Sequence, residues 1–116
     1  MILTGKAKLD FEKWLNKEMY YLGRHHFEDR DNNIEDLSDI FQNALIIEWF
    51  DSVGIYISIN YVDFYDELRN NTGFETYVTN KGLSVKFRSV SSRQEAIKQA
   101  IKKANEIYNE KYSISQ

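Results

Sequence analysis

The stretch EWFDSVGIYISINY, Glu48 to Tyr61, passes from one structural period to another. Up to Phe50 it is the apolar end of a helical pattern. From Ile55 onward, Ile55, Ile57 and Ile59 alternate with Tyr56, Ser58 and Asn60, the period-two signature of a strand with one buried face. Asp51, Ser52 and Gly54 lie at the change. Short polar side chains can satisfy backbone donors freed at such a bend, and glycine relieves it. Trp49 and Phe50 would anchor the corner to a core. Asp51 therefore reads as a structural corner rather than the acid of an active site. On that reading, removing its side chain costs about 1 kcal/mol.

Toward the N-terminus, the pattern predicts a helix from Thr4, whose hydroxyl would cap it, to Gly23. Ala7, Phe11, Trp14, Leu15, Met19 and Leu22 form its apolar stripe. A polar segment, RHHFEDRDNN, follows. A second helix is expected over Ile34–Glu48, with Asn32 and Glu35 in the layout of a capping box. Ile34, Leu37, Ile40, Phe41, Ala44 and Leu45 would supply its buried face.

Toward the C-terminus, the strand's phase slips at Tyr61–Val62, which predicts a bulge or strand end. YDELRNNTG reads as a loop closed by Gly73. Phe74–Thr79 reads as a second strand, and Asn80–Gly82 as a short hairpin turn. The third strand would bury Leu83, Val85 and Phe87 and turn Ser84, Lys86 and Arg88 outward. Ser92 and Glu95 form an S-x-x-E capping box for a last helix, with Ser91 and Gln94 as an alternative register. Ala96, Ile97, Ala100, Ile101, Ala104, Ile107 and Tyr108 line that helix's apolar face. The expected fold is a single α+β domain over residues 1–116, in the order α-α-β-β-β-α. Its sheet is a three-stranded antiparallel meander with helices packed on one face.

Composition narrows the function classes. A chain of 116 residues fits one domain. It holds no cysteine, which removes disulfide and thiolate chemistry and favours a cytoplasmic setting. No apolar run approaches the roughly 18 residues of a membrane span, and MILTGKAKLDFEKW has no apolar signal core. Proline is absent, and 15% of residues are aromatic. Charge is uneven. Residues 1–80 hold seven Lys/Arg against fifteen Asp/Glu, whereas residues 81–116 hold eight against three. The basic end can face an anionic partner, or the acidic part of its own fold or of a second copy.

No chemical constellation stands out. His25 and His26 are adjacent, a spacing that matches neither a zinc finger nor an H-E-x-x-H helix. Glu28, Asp29, Asp31, Glu35, Asp36 and Asp39 lack the alternation and central glycine of a calcium loop and read as a solvated acidic face. Ser52 lies outside any G-x-S-x-G elbow, and no phosphate-cradling glycine run is present. No catalytic residue, cofactor site or metal ligand is assigned. The candidate surface consists of Tyr56, Tyr77, Lys86 and Arg88 on the outer sheet face, with Lys98 and Lys102 on the last helix. This set predicts a non-enzymatic protein that binds a protein partner or itself. The alternative is nucleic-acid binding through the basic third strand and last helix, Arg93 and Lys103 included. RNP-type aromatic motifs are missing and the chain as a whole is acidic. A metal-dependent or other hydrolase ranks third, and no membrane role is expected.

Three blocks, LTGKAKLDFEKWL, WFDSVGIYISI and EAIKQAIKKANEIYNEKY, together resemble a group of small proteins of gut Bacteroides-type bacteria, often found in phage or mobile-element regions. The three blocks span 42 of the 116 residues. It implies a bacterial, cytoplasmic, phage-derived protein, leaves the role open, and carries no activity, cofactor or catalytic residue with it.

Overall fold

The computed structural model describes residues 1–21, 37–65, 70–89 and 92–113. The elements run α1 (Gly5–Tyr21), α2 (Asp39–Ser52), β1 (Ile55–Tyr65), β2 (Asn70–Asn80), β3 (Leu83–Ser89) and α3 (Arg93–Ser113). The expected α+β order is present, and the strands form one antiparallel sheet in the order β1-β2-β3.

The corner between α2 and β1 is built from main chain. Val53 and Gly54 donate to the carbonyls of Phe50 and Asp51 at 3.1 and 3.3 Å. Gly54 takes a φ of 83°, which an L side chain rarely tolerates. The Ser52 hydroxyl donates to the Trp49 carbonyl at 2.6 Å. The Asn80 amide donates to the Gly54 carbonyl at 3.1 Å, tying the corner to the far end of β2. Asp51 itself is exposed in the last turn of α2, where the helix dipole disfavours a carboxylate. Its side chain does not hold the corner. Asp51→Ala is thus expected to change stability by less than about 0.5 kcal/mol, readable from urea midpoints. A loss near 1 kcal/mol would restore the capping role to its carboxylate.

At the same end of β2, directly after Asn80, Lys81 and Gly82 have φ of 48° and 84°, as a two-residue type I′ turn requires. The turn sets Asn80 opposite Leu83 and so places Val78 against Val85 and Thr76 against Phe87. In β1 the register runs unbroken from Ile55↔Asn80 to Tyr65↔Asn70. The bulge expected at Tyr61–Val62 is therefore absent. Of the expected loop from Tyr65 to Gly73, Asn70–Gly73 are strand and pair with β1, while residues 66–69 lie outside the described residues. Ile55, Ile57, Val78, Val85 and Phe87 share the helix-covered face. Leu83 is on that face too, but at the hairpin tip it is 77% exposed.

The core lies between the sheet and three helices. Ala96, Ala100 and Ala104 are fully buried, and their small side chains let α3 lie close to the strands. Trp49 is central: its ring lies 5.9 Å from Phe11, 4.8 Å from Phe50 and 4.9 Å from Tyr108. From α1, Ala7, Phe11 and Leu15 reach the same cluster, joined by Leu3 ahead of the helix. Met19's side chain, Leu22 and Gly23 lie outside the described residues.

α2 departs from expectation in start and face. It begins at Asp39, where the Ser38 hydroxyl accepts from the Phe41 amide at 3.3 Å. The Asn32–Glu35 box lies outside the described residues. The buried side is Gln42, Asn43, Leu45, Ile46, Trp49 and Phe50, while Ile40 and Phe41 are 62% and 49% exposed and Ala44 is exposed as well. Burying Trp49 and Phe50 removes more apolar surface from water than burying Ile40 and Ala44 would. Gln42 is accommodated by donating to the Leu37 carbonyl at 2.8 Å.

α1 is capped in trans. The Asn105 side chain accepts from the Thr4 amide and donates to the Thr4 hydroxyl, both at 3.0 Å. Asn109 accepts from the Ala7 amide at 2.7 Å and donates to the Thr4 carbonyl at 2.9 Å. The Thr4 hydroxyl therefore answers α3, rather than capping its own helix as expected. α3 starts as predicted, with the Ser92 hydroxyl accepting from the Glu95 amide at 3.1 Å.

Candidate functional site

The β pleat decides which candidate residues meet. On β1, β2 and β3 the outward positions form cross-strand rows: Tyr56–Thr79–Ser84, Ser58–Tyr77–Lys86 and Asn60–Glu75–Arg88. No described helix covers these rows, and Tyr56 is 55% exposed. Tyr56, Tyr77, Lys86 and Arg88 thus share one open surface, as the alternation predicted.

Glu75, which the sequence did not single out, organises this surface. Lys86 reaches diagonally across the strands to form an ion pair of 2.6 Å with its Oε1. The Tyr77 hydroxyl donates to the same oxygen at 3.1 Å. The Lys86 ammonium also lies 5.9 Å from the centre of the Tyr77 ring. The hydrogen bond from Lys86 holds the Glu75 carboxyl below its usual range, against an opposing effect of desolvation; Tyr77 and the charge of Arg88 add to the lowering. A carboxylate held ionised this way is suited to pairing rather than to proton transfer near neutral pH. At the other end of the face, the Thr79 and Ser84 hydroxyls are 3.1 Å apart.

Lys98 and Lys102 do not join this face. They project from α3, on the covered side of the sheet. Lys98 lies 3.9 Å from Glu95. Both lysines line a cavity of about 290 Å³ with Met1, Ile2, Asp39 and Gln42. Lys102 also borders a groove of about 480 Å³ between α3 and the β3 edge, lined by Phe87, Arg88, Gln99, Lys103 and Glu106. Arg88, an outward residue of β3, thus borders both the open face and this groove. The groove was readable in one respect: Gln99, Lys102, Lys103 and Glu106 recur at three- and four-residue spacing, beside the buried stripe of α3. Within it, Lys103 pairs with Glu106 at 3.5 Å.

Among the described residues no group of three or more His, Asp or Glu could hold a metal ion. His25, His26 and most of the acidic run lie outside them; Asp39 lies in the first turn of α2, where the dipole favours it. No described helix is long and apolar enough to cross a membrane. The class defined so far is an α+β domain with an open, nearly charge-balanced sheet face. Comparison with protein-family models, with curated proteins and with solved structures finds no match to the chain.

Proposed function

We propose that this chain is a non-enzymatic binding protein that holds a partner protein against the open face of its sheet. The observation that carries the reading is the make-up of that face. It offers two tyrosines, hydroxyl and amide side chains, and charges that nearly cancel, because Glu75 already pairs with Lys86. Tyrosine supplies large contact area with a polar tip, a combination enriched at protein interfaces. A nucleic-acid surface depends on cations left to neutralise phosphates, and this face keeps few. An accessory role in a phage-derived element belongs to the same proposal.

The test is capture on the immobilised chain, compared with a Tyr56→Ala/Arg88→Ala variant. Both side chains are exposed, so the fold should survive. A partner retained by the parent and lost by the variant is the expected outcome. Equal retention by both, or none by either, would remove the reading.

A second reading has one observation in its favour: Arg88, Lys102 and Lys103 converge on one groove with Glu106 as its acidic member. It requires DNA or RNA binding that weakens steeply with salt and weakens further in an Arg88→Ala/Lys102→Ala variant.

A further inference from the structure

The two edges of the sheet are protected to different degrees. β3 is a seven-residue edge carrying Lys86 and Arg88, the short, charged design that discourages further pairing. β1 is an eleven-residue edge. From Ile55 to Val62 it contains no charged residue, proline or glycine, and its register with β2 is unbroken. Among the described residues no strand pairs with its far side.

The hairpin fixes which main-chain groups that edge presents. In a two-residue turn the flanking residues exchange hydrogen bonds, so Asn80 and Leu83 do so here. Hydrogen-bonded and non-hydrogen-bonded pairs then alternate along an antiparallel ladder. Even-numbered residues of β2 therefore direct their peptide groups to β3, and odd-numbered ones to β1. By the register Tyr56↔Thr79 and Ser58↔Tyr77, the even residues of β1 are the ones bonded to β2. The peptide groups of Ile57, Ile59 and Tyr61 point the other way, to the open edge. An occupant must present a strand of its own, uncharged and apolar at every second residue.

We propose that the occupant is β1 of a second copy, paired antiparallel about a twofold axis at Ser58. This register sets Ile57 opposite Ile59, Ile55 opposite Tyr61 and Tyr56 opposite Asn60. It keeps the odd residues on the helix-covered face in both copies, so the apolar layer runs across the joint. A twofold contact requires a surface to match itself, and a strand without charge meets no like-charge repulsion across the axis. The product is a six-stranded sheet with both sets of helices on one side and a doubled open face on the other.

Ser58 is exposed, so a charge there tests the pairing without touching the core. Light scattering of the purified chain should give twice the 13.8 kDa monomer mass across a dilution series. Ser58→Lys alone and Ser58→Glu alone should each give the monomer mass, with unchanged circular dichroism. Mixing the two variants should restore the doubled mass, because an ammonium from one copy then faces a carboxylate from the other across the axis. A monomeric parent chain, a dimer indifferent to Ser58→Lys, or open-ended assemblies in which the variants behave as the parent would each overturn the proposal. The pairing goes beyond the partner-binding reading and is measured with no partner present, so either can fail while the other stands.

Discussion

Trp49→Ala is expected to cost about 3–5 kcal/mol, a large share of the roughly 5–15 kcal/mol that stabilises a domain. The indole is 2% exposed and touches rings from α1, α2 and α3. Its loss leaves a cavity where three helices meet, and helices anchored on both sides cannot readily collapse into it. Trp49→Phe should cost less, because part of the aromatic contact survives. Urea unfolding followed by circular dichroism gives both values. An alanine variant within about 1 kcal/mol of the parent would mean that the core is not centred on this residue.

Tyr108→Phe should have its effect through pH. The Tyr108 hydroxyl donates to Asp10 at 2.5 Å from a side chain only 6% exposed. Burial first, and then the Asp10 carboxylate, raise the phenol well above its ordinary value. The folded state therefore keeps a proton that the unfolded chain releases near pH 10. A group with a raised folded pKa contributes fully below its unfolded pKa and loses that contribution as pH climbs toward the folded one. For one proton the erosion is about 1.4 kcal/mol per pH unit. At neutral pH the parent should exceed the variant by about 1–2 kcal/mol. The gap should close within one or two pH units above 10, because phenylalanine has no proton to hold. A gap that stays constant from pH 7 to 11 would contradict the assignment. In the parent chain Asp10 also pairs with Lys6 at 3.3 Å, a contact that the substitution does not remove.

The parts of the fold legible in the sequence are those where one face is buried and the other wet. Ile55, Ile57 and Ile59 announce β1, and the alanine stripe announces α3, because burial imposes a period on each. In α2 the same signal pointed to Ile40, Phe41 and Ala44, which are exposed. Ile40, Phe41, Ile46, Ile47, Trp49 and Phe50 surround the helix, and periodicity cannot choose among apolar sides; residue size chose. Asn70–Gly73 read as a loop because Asn and Gly are poor strand formers, yet pairing along β1 carries them into the sheet. In the candidate surface, the outward set Tyr56, Tyr77, Lys86 and Arg88 followed from alternation alone. The Glu75–Lys86 pair did not, because it is diagonal and depends on side-chain reach. Lys98 and Lys102 were assigned to the same surface on charge alone. The expected packing of the last helix against one sheet face already separates them from the open side.

The asparagine clasp also orders events in time. Thr4 and Ala7 depend on side chains 101 and 102 residues further along the chain. At about 5–20 residues per second of synthesis, α1 exists for roughly 5–20 seconds before Asn105 and Asn109 do. Through that interval its first turn has only water to satisfy it, and short isolated helices are marginal in water. α1 is completed by side chains of α3, so the native state cannot close before α3 has been made.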